Sequence, residues 1–175
     1  MCTRVVRGYP AGMAQTQPGR WVGSVLGPGL LLGAGLGGFV DGILLHQILR
    51  WHHLLTARRD ADLTANLVAD GLFHAATWFA VFGGLMWLWQ RSRARSRSFP
   101  WPALIGPLLA GWGLFNLTEG LVNHHVLGLH HVRAGAHQTV YDIGFLVFGL
   151  LLAVLGTWTY RRSLATGEGV SRDVR

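Results

Sequence analysis

Lysine is absent from this chain of 175 residues, and cysteine occurs once, as Cys2. A lone thiol excludes an internal disulfide and any Cys-based metal site. Charge is nearly as scarce: 13% of residues are charged while half are hydrophobic, a balance too apolar for an ordinary soluble domain of this length. The first apolar run is too long for a secretory leader and no A-x-A-like site closes it, so no cleaved signal is expected. With only three Met beside Cys2, the soft ligands that select Cu(I) are lacking too.

What charge there is sits between long neutral stretches. Arg20 precedes 20 residues without a formal charge, Asp70 another 20, Arg97 a run of 21 and Asp142 a run of 18. Each suffices to cross a hydrocarbon core about 30 Å thick as an α-helix. The expected architecture is an all-α integral membrane four-helix bundle with spans near 21–49, 64–90, 101–127 and 138–160. Residues 1–20 read as a disordered tail, 21–162 as the transmembrane domain and 163–175 as a second tail.

All fifteen basic residues are Arg, and they cluster on one side. Arg4, Arg7 and Arg20 precede the first span, Arg91, Arg93, Arg95 and Arg97 join the second to the third, and Arg161 and Arg162 follow the fourth. The opposite side has only Arg50, Arg58, Arg59 and Arg133. The positive-inside rule then puts both termini in the cytoplasm. Arginines that flank spans are topology signals, so no nucleic-acid partner is expected despite the formal charge of +7. The bilayer is the expected partner. Small residues at Gly29, Gly33 and Gly37, and at Gly38 and Gly42, allow close packing within the bundle, against a second copy or against another membrane protein.

Residues 33–53 recur at 111–131, 78 positions on, with eight of 21 positions identical, among them Gly42/Gly120, His46/His124, His52/His130 and His53/His131. Asp41 meets Glu119 in the same register. Such self-similarity predicts two parallel helical-hairpin repeats, 21–90 and 99–162, related by an axis along the membrane normal. Asp70 pairs with Asp142 at an offset of 72.

On this topology the four acids Asp41, Asp70, Glu119 and Asp142 fall in the outer half of the membrane, as do all nine His. Ionisable groups at that depth cost about 2.5 kcal/mol or more each, which makes them a functional expectation. At about 100° per residue, Gly35, Gly42, His46, Leu49 and His53 share one stripe, with Asp41 and His52 on a second roughly 80–100° away. The expected ligands are His46, His53, His74, His124 and His131, with Asp41, Asp70, Glu119 and Asp142 as ligands or as groups that orient them.

Imidazole with carboxylate suits Fe, Zn, Cu(II) or Mn, and one acid per helix is the inventory of a four-helix dimetal centre. Haem held by two opposed His is the variant of this reading, though no haem attachment motif occurs. Two other readings stand beside it: a scaffold for a membrane complex tied by acid–His hydrogen bonds, and proton or ion translocation. Whether the cluster is catalytic stays open at this point.

Gly-Gly-Phe-Val-Asp-Gly at 37–42, His-Gln-x-Leu-x-Trp-His-His at 46–53, Asp-Gly-Leu-Phe-His at 70–74, Asn-His-His-x-Leu-x-x-His-His-Val at 123–132 and Tyr-Asp at 141–142 resemble the domain-of-unknown-function 2243 group of predicted bacterial membrane proteins. The resemblance implies a four-helix integral membrane protein and brings no established activity with it.

Overall fold

The structure, a computed structural model, describes residues 25–93 and 101–169. The expected tail 1–20 with Cys2, the first span before residue 25, Arg95, Arg97 and the end of the chain beyond 169 lie outside the described residues. Among the described residues every regular element is helical. Helix α1 (Leu26–Val40) runs on into a π-helical segment (Asp41–Ile48), α2 is Leu63–Arg93, α3 (Trp101–Glu119) runs on into a second π-helical segment (Gly120–Val126), and α4 is Gln138–Gly169.

By length and composition Leu26–Ile48, Leu63–Arg93 and Gln138–Thr166 can each cross a membrane. Helix α3 is shorter, contains Pro107, and turns Asn116 and Glu119 inward. The order of packing explains this difference. α1 and α3 lie against each other in the middle, α2 packs on α1, and α4 packs on α3. Half of the apolar stretch of the first helix is buried inside the protein, against 11% for α2 and 17% for α4. The outer pair accordingly presents Leu, Phe and Trp side chains such as Phe79 and Leu151 to the surroundings, as lipid contact demands.

Glycine makes the central contact close. A Cβ at Gly33 would fall on the carbonyl oxygen of Leu108, and one at Gly111 on that of Leu30. Both neighbours are backbone, which cannot swing aside as a side chain can. At the Arg-rich end, Val25 and Ala103 are fully buried and are covered by Leu88, Tyr160 and Leu164. That packing, with Ser163 bonded to the Thr159 carbonyl at 3.0 Å, continues α4 as helix through 163–169, where the composition suggested a tail.

The other end is built the opposite way. Its buried side chains are polar: Asp41, His46, His52, Asp70, Asn116, Glu119, His124, His130 and Asp142. Both inner helices change pitch where these residues begin. In the π segments Leu49 N–H reaches the Leu44 carbonyl at 2.8 Å and Leu127 N–H the Val122 carbonyl at 2.7 Å, each spanning five residues. The chain then reverses through left-handed residues, Arg50 (φ 52°) and Gly128 (φ 54°).

Candidate functional site

Pitch decides which groups meet. In an α-helix, residues five apart point about 140° away from each other; a π-helix closes its turn over five residues and brings them to one side. Asp41 and His46 are such a pair, with Oδ2 and Nε2 3.2 Å apart. Glu119 and His124 stand at the same interval on the second inner helix. Wide turns of this kind recur at functional sites.

The imidazoles are fixed through their Nδ1 atoms. His46 donates from Nδ1 to Asp70 Oδ1 at 3.0 Å. His52 donates to the Val132 carbonyl at 2.8 Å, and His130 to the Leu54 carbonyl at 3.0 Å. His124 is the exception: its Nδ1 lies 3.5 Å from Asp142 Oδ1, at ion-pair range but without a hydrogen bond. A ring whose Nδ1 carries the proton keeps a lone pair on Nε2, the arrangement that orients metal-binding His.

Those Nε2 atoms converge. His52 stacks on His130 with centroids 4.5 Å apart, His46 meets His52 at 4.4 Å, and His124 meets His130 at 4.7 Å. His124 Nε2 and His130 Nε2 are 3.1 Å apart, and His130 Nε2 is 3.6 Å from Glu119 Oε1. Two groups have ligand atoms within 4.8 Å of one another: His46, His52 and His130; and Glu119, His124 and His130. All five residues are buried. Asp41 Oδ2, His46 Nε2, His52 Nε2 and both Glu119 oxygens lack a hydrogen-bond partner, with the Asn123 amide close enough to turn toward Glu119. Orphaned buried polar atoms are rare and call for an explanation.

His52 and His130 lie in the loops beyond the helices. Burial pushes the His52 imidazole down to about 4, helped by neighbouring His130 and His46, and burial likewise lowers His130. Both rings are therefore neutral near pH 7 and able to act as ligands.

The acids on the outer helices have a different task. Asp70 accepts from His46, from His53 Nδ1 at 2.6 Å and from the Leu54 amide at 2.8 Å. Asp142 accepts from His131 Nδ1 at 2.7 Å and the Val132 amide at 2.9 Å. They clamp the loops that carry His52 and His130. Their side chains are 2% and 4% exposed, while His53 and His131 are 30% and 29% exposed. The last two thus sit at the rim rather than in the convergence. His74 donates to its own helix at the Asp70 carbonyl, 2.7 Å away, and joins neither group. His125 bonds the Gly120 carbonyl, and His137 is exposed.

Of the nine expected site residues, His46, His124, Asp41 and Glu119 line the centre, Asp70 and Asp142 support it, and His53, His74 and His131 stand outside it. His52 and His130 were not among the nine. Their identity at the 78-residue offset was the signal for them; the helical wheel obscured it because the chain is no longer α-helical there.

These features define an all-helical membrane protein with a buried His–carboxylate cluster at one end. Over residues 28–163 the chain matches the family described as predicted membrane protein, domain of unknown function 2243 (DUF2243), and it belongs to that family. No curated protein and no solved structure matches it.

Proposed function

We propose that this protein is a four-span integral membrane protein of the bacterial plasma membrane that binds a transition metal, in a redox or metal-handling role. The metal sits among His46, His52, His124 and His130, with Asp41 and Glu119. One observation carries the reading: imidazoles, three of them held through Nδ1, turn their Nε2 atoms toward one another in a buried space. Neutral imidazole with carboxylate and no thiolate favours Fe, Zn, Cu(II) or Mn. Ring centroids 4.4 to 4.7 Å apart leave no slot for a macrocycle between opposed His, so a non-haem ion fits better than haem. Asp70 and Asp142, with His53 and His131, orient the centre from outside.

The reading includes two parallel repeats with both termini in the cytoplasm. Supporting it, contacts recur at the sequence offset: His52 to Val132 and His130 to Leu54, Gly33 on Leu108 and Gly111 on Leu30. The arginine distribution supports the orientation.

A scaffold without metal is the second reading, favoured by the saturated bonding of Asp70; the apolar outer faces then meet another membrane protein or a second copy. Ion translocation has less support, since the buried polar groups beyond Asn116 and Thr77 thin out to Ser163. Elemental analysis and an optical spectrum of detergent-purified protein decide between these. Stoichiometric Fe, Zn, Cu or Mn supports the metal reading. Protein that stays metal-free after incubation with each ion supports the scaffold.

A further inference from the structure

A cavity of about 330 Å³ lies beside the cluster, between α1, α3 and α4. Its walls are aromatic, with Trp51, Trp112 and Phe145 among them, and its polar groups include Asp41 and Asn116. These two residues are 4% and 2% exposed, and Asp41 turns one carboxylate oxygen, Oδ2, to His46 Nε2 at 3.2 Å. At the mouth stand Val140, 68% exposed, and Gly144, where an added Cβ would meet nothing within 4 Å. Both belong to the long apolar helix α4, so the mouth opens toward acyl chains rather than water.

Size, lining and a few convergent polar atoms are those of a small-molecule site. The two halves of the chain differ here: Gly144 stands where the 72-residue offset has Leu72, and a Cβ at Gly144 would meet nothing within 4 Å. The α4 wall of the cavity is thereby left open beside the Asp41 carboxylate.

We propose that this cavity binds a lipid-soluble phenol. Its flat ring packs between the aromatic walls, its hydroxyl donates to the Asp41 carboxylate, and its apolar tail leaves past Val140 and Gly144 into the bilayer. A ring rather than a plain acyl chain is argued from the aromatic lining, and a hydroxyl from the buried carboxylate, whose two oxygens can accept more than the His46 contact supplies. The site shares Asp41 with the metal reading above but needs no metal, so phenol binding by metal-free protein tests it independently of that reading.

The test uses the full chain in lipid nanodiscs, titrated with 4-nonylphenol, its methyl ether and nonylbenzene, with binding read from tryptophan fluorescence. A hydrogen bond to a charged group predicts that the phenol binds about tenfold or more tightly than the ether. Gly144→Leu, which installs the residue found at position 72, should abolish binding while melting stays normal. If that variant does not fold, Val140→Trp at the exposed rim blocks the same mouth. Asp41→Asn should erase the preference for phenol over ether. A nonylhydroquinone arm separates the two sources of such a ring: tighter binding than the phenol assigns the site to a diphenol, equal binding to a monophenol. Equal affinity for phenol, ether and hydrocarbon overturns the proposal in favour of an acyl-chain slot, as does phenol binding that survives both blocking variants.

Discussion

His52 and His130 stack with their ring planes 11° apart, and each donates its Nδ1 proton across the molecule, to the carbonyls of Val132 and Leu54. Each half of the chain thereby fixes the imidazole of the other. The loops are cross-linked by the same two bonds that aim both Nε2 atoms into the cluster, where His130 Nε2 meets His124 Nε2 at 3.1 Å. Loop position and ring orientation are therefore one property here, and a change in either loop is felt at both rings.

His130 belongs to both groups of converging ligand atoms, whereas His46 and His124 belong to one each. Metal content of purified variants should follow that difference. His130→Ala is expected to lower affinity most, by well over the roughly tenfold to hundredfold attached to outer supporting groups. His46→Ala and His124→Ala should lose similar amounts, and His137→Ala, which alters an exposed residue, nothing. Full occupancy in His130→Ala would remove the centre from this part of the protein.

Much of this was legible in the sequence, because the membrane forces it to be. Uncharged runs bounded by Arg and Asp mark helices wherever water is absent, and the repeated Gly, acid and His positions point to one polar end. Less legible was the pitch of the inner helices. Nothing in Asp41-Gly-Ile-Leu-Leu-His46 distinguishes π from α, since the wider turn depends on tertiary partners: His46 held by Asp70, and Gly42 lying against His74. A wheel drawn at α pitch therefore separated Asp41 from His46 and moved His53 inward in place of His52. The cavity was hidden for a related reason, since an opening walled by α1, α3 and α4 needs three helices in place before it exists.

Acid should destabilise the metal-free protein. The His52 pKa is lowered from 6.5 to about 4 in the fold, so between those values the unfolded chain binds more protons. The contribution is fully present above about pH 6.5 and is lost as pH falls toward 4. At 1.36 kcal/mol per unit it amounts to roughly 3 kcal/mol at most, with His130 acting in the same direction. Melting in detergent should drop between pH 7.5 and 5, and drop less in His52→Gln. A melting temperature that is level across this range would mean that these rings are already charged or hydrated in the fold.

Asp70 receives two imidazole protons and one amide proton. Asp70→Asn turns one acceptor into a donor facing donors, and a buried group so mismatched costs about 2–4 kcal/mol. The damage should show in the loop it holds, so trypsin should cut at Arg58 and Arg59 faster than in the parent. Asp142→Asn should act likewise on the loop at Arg133. Asp60→Asn, at an exposed position, should stay within about 0.5 kcal/mol. Parental cleavage rates in Asp70→Asn would show that the loop is held by other means.

The same substitution should have opposite signs at buried and exposed glycines. At Gly33 a methyl group would collide with the backbone of Leu108, and at Gly111 with that of Leu30, so alanine must part the central helices. The loss is not confined to that contact. The π segments continue directly from α1 and α3, so helices pushed apart at these glycines carry His46 and His124 out of register with the loops above. At Gly71, on α2, an added Cβ meets nothing within 4 Å, and exchanging a helical glycine for alanine there should stabilise by about 0.5–1 kcal/mol. Gly33→Ala and Gly111→Ala should thus lower both melting temperature and bound metal, while Gly71→Ala raises the first and leaves the second unchanged. If Gly33→Ala melts like the parent and holds its metal, the close approach of α1 and α3 is not what positions the cluster.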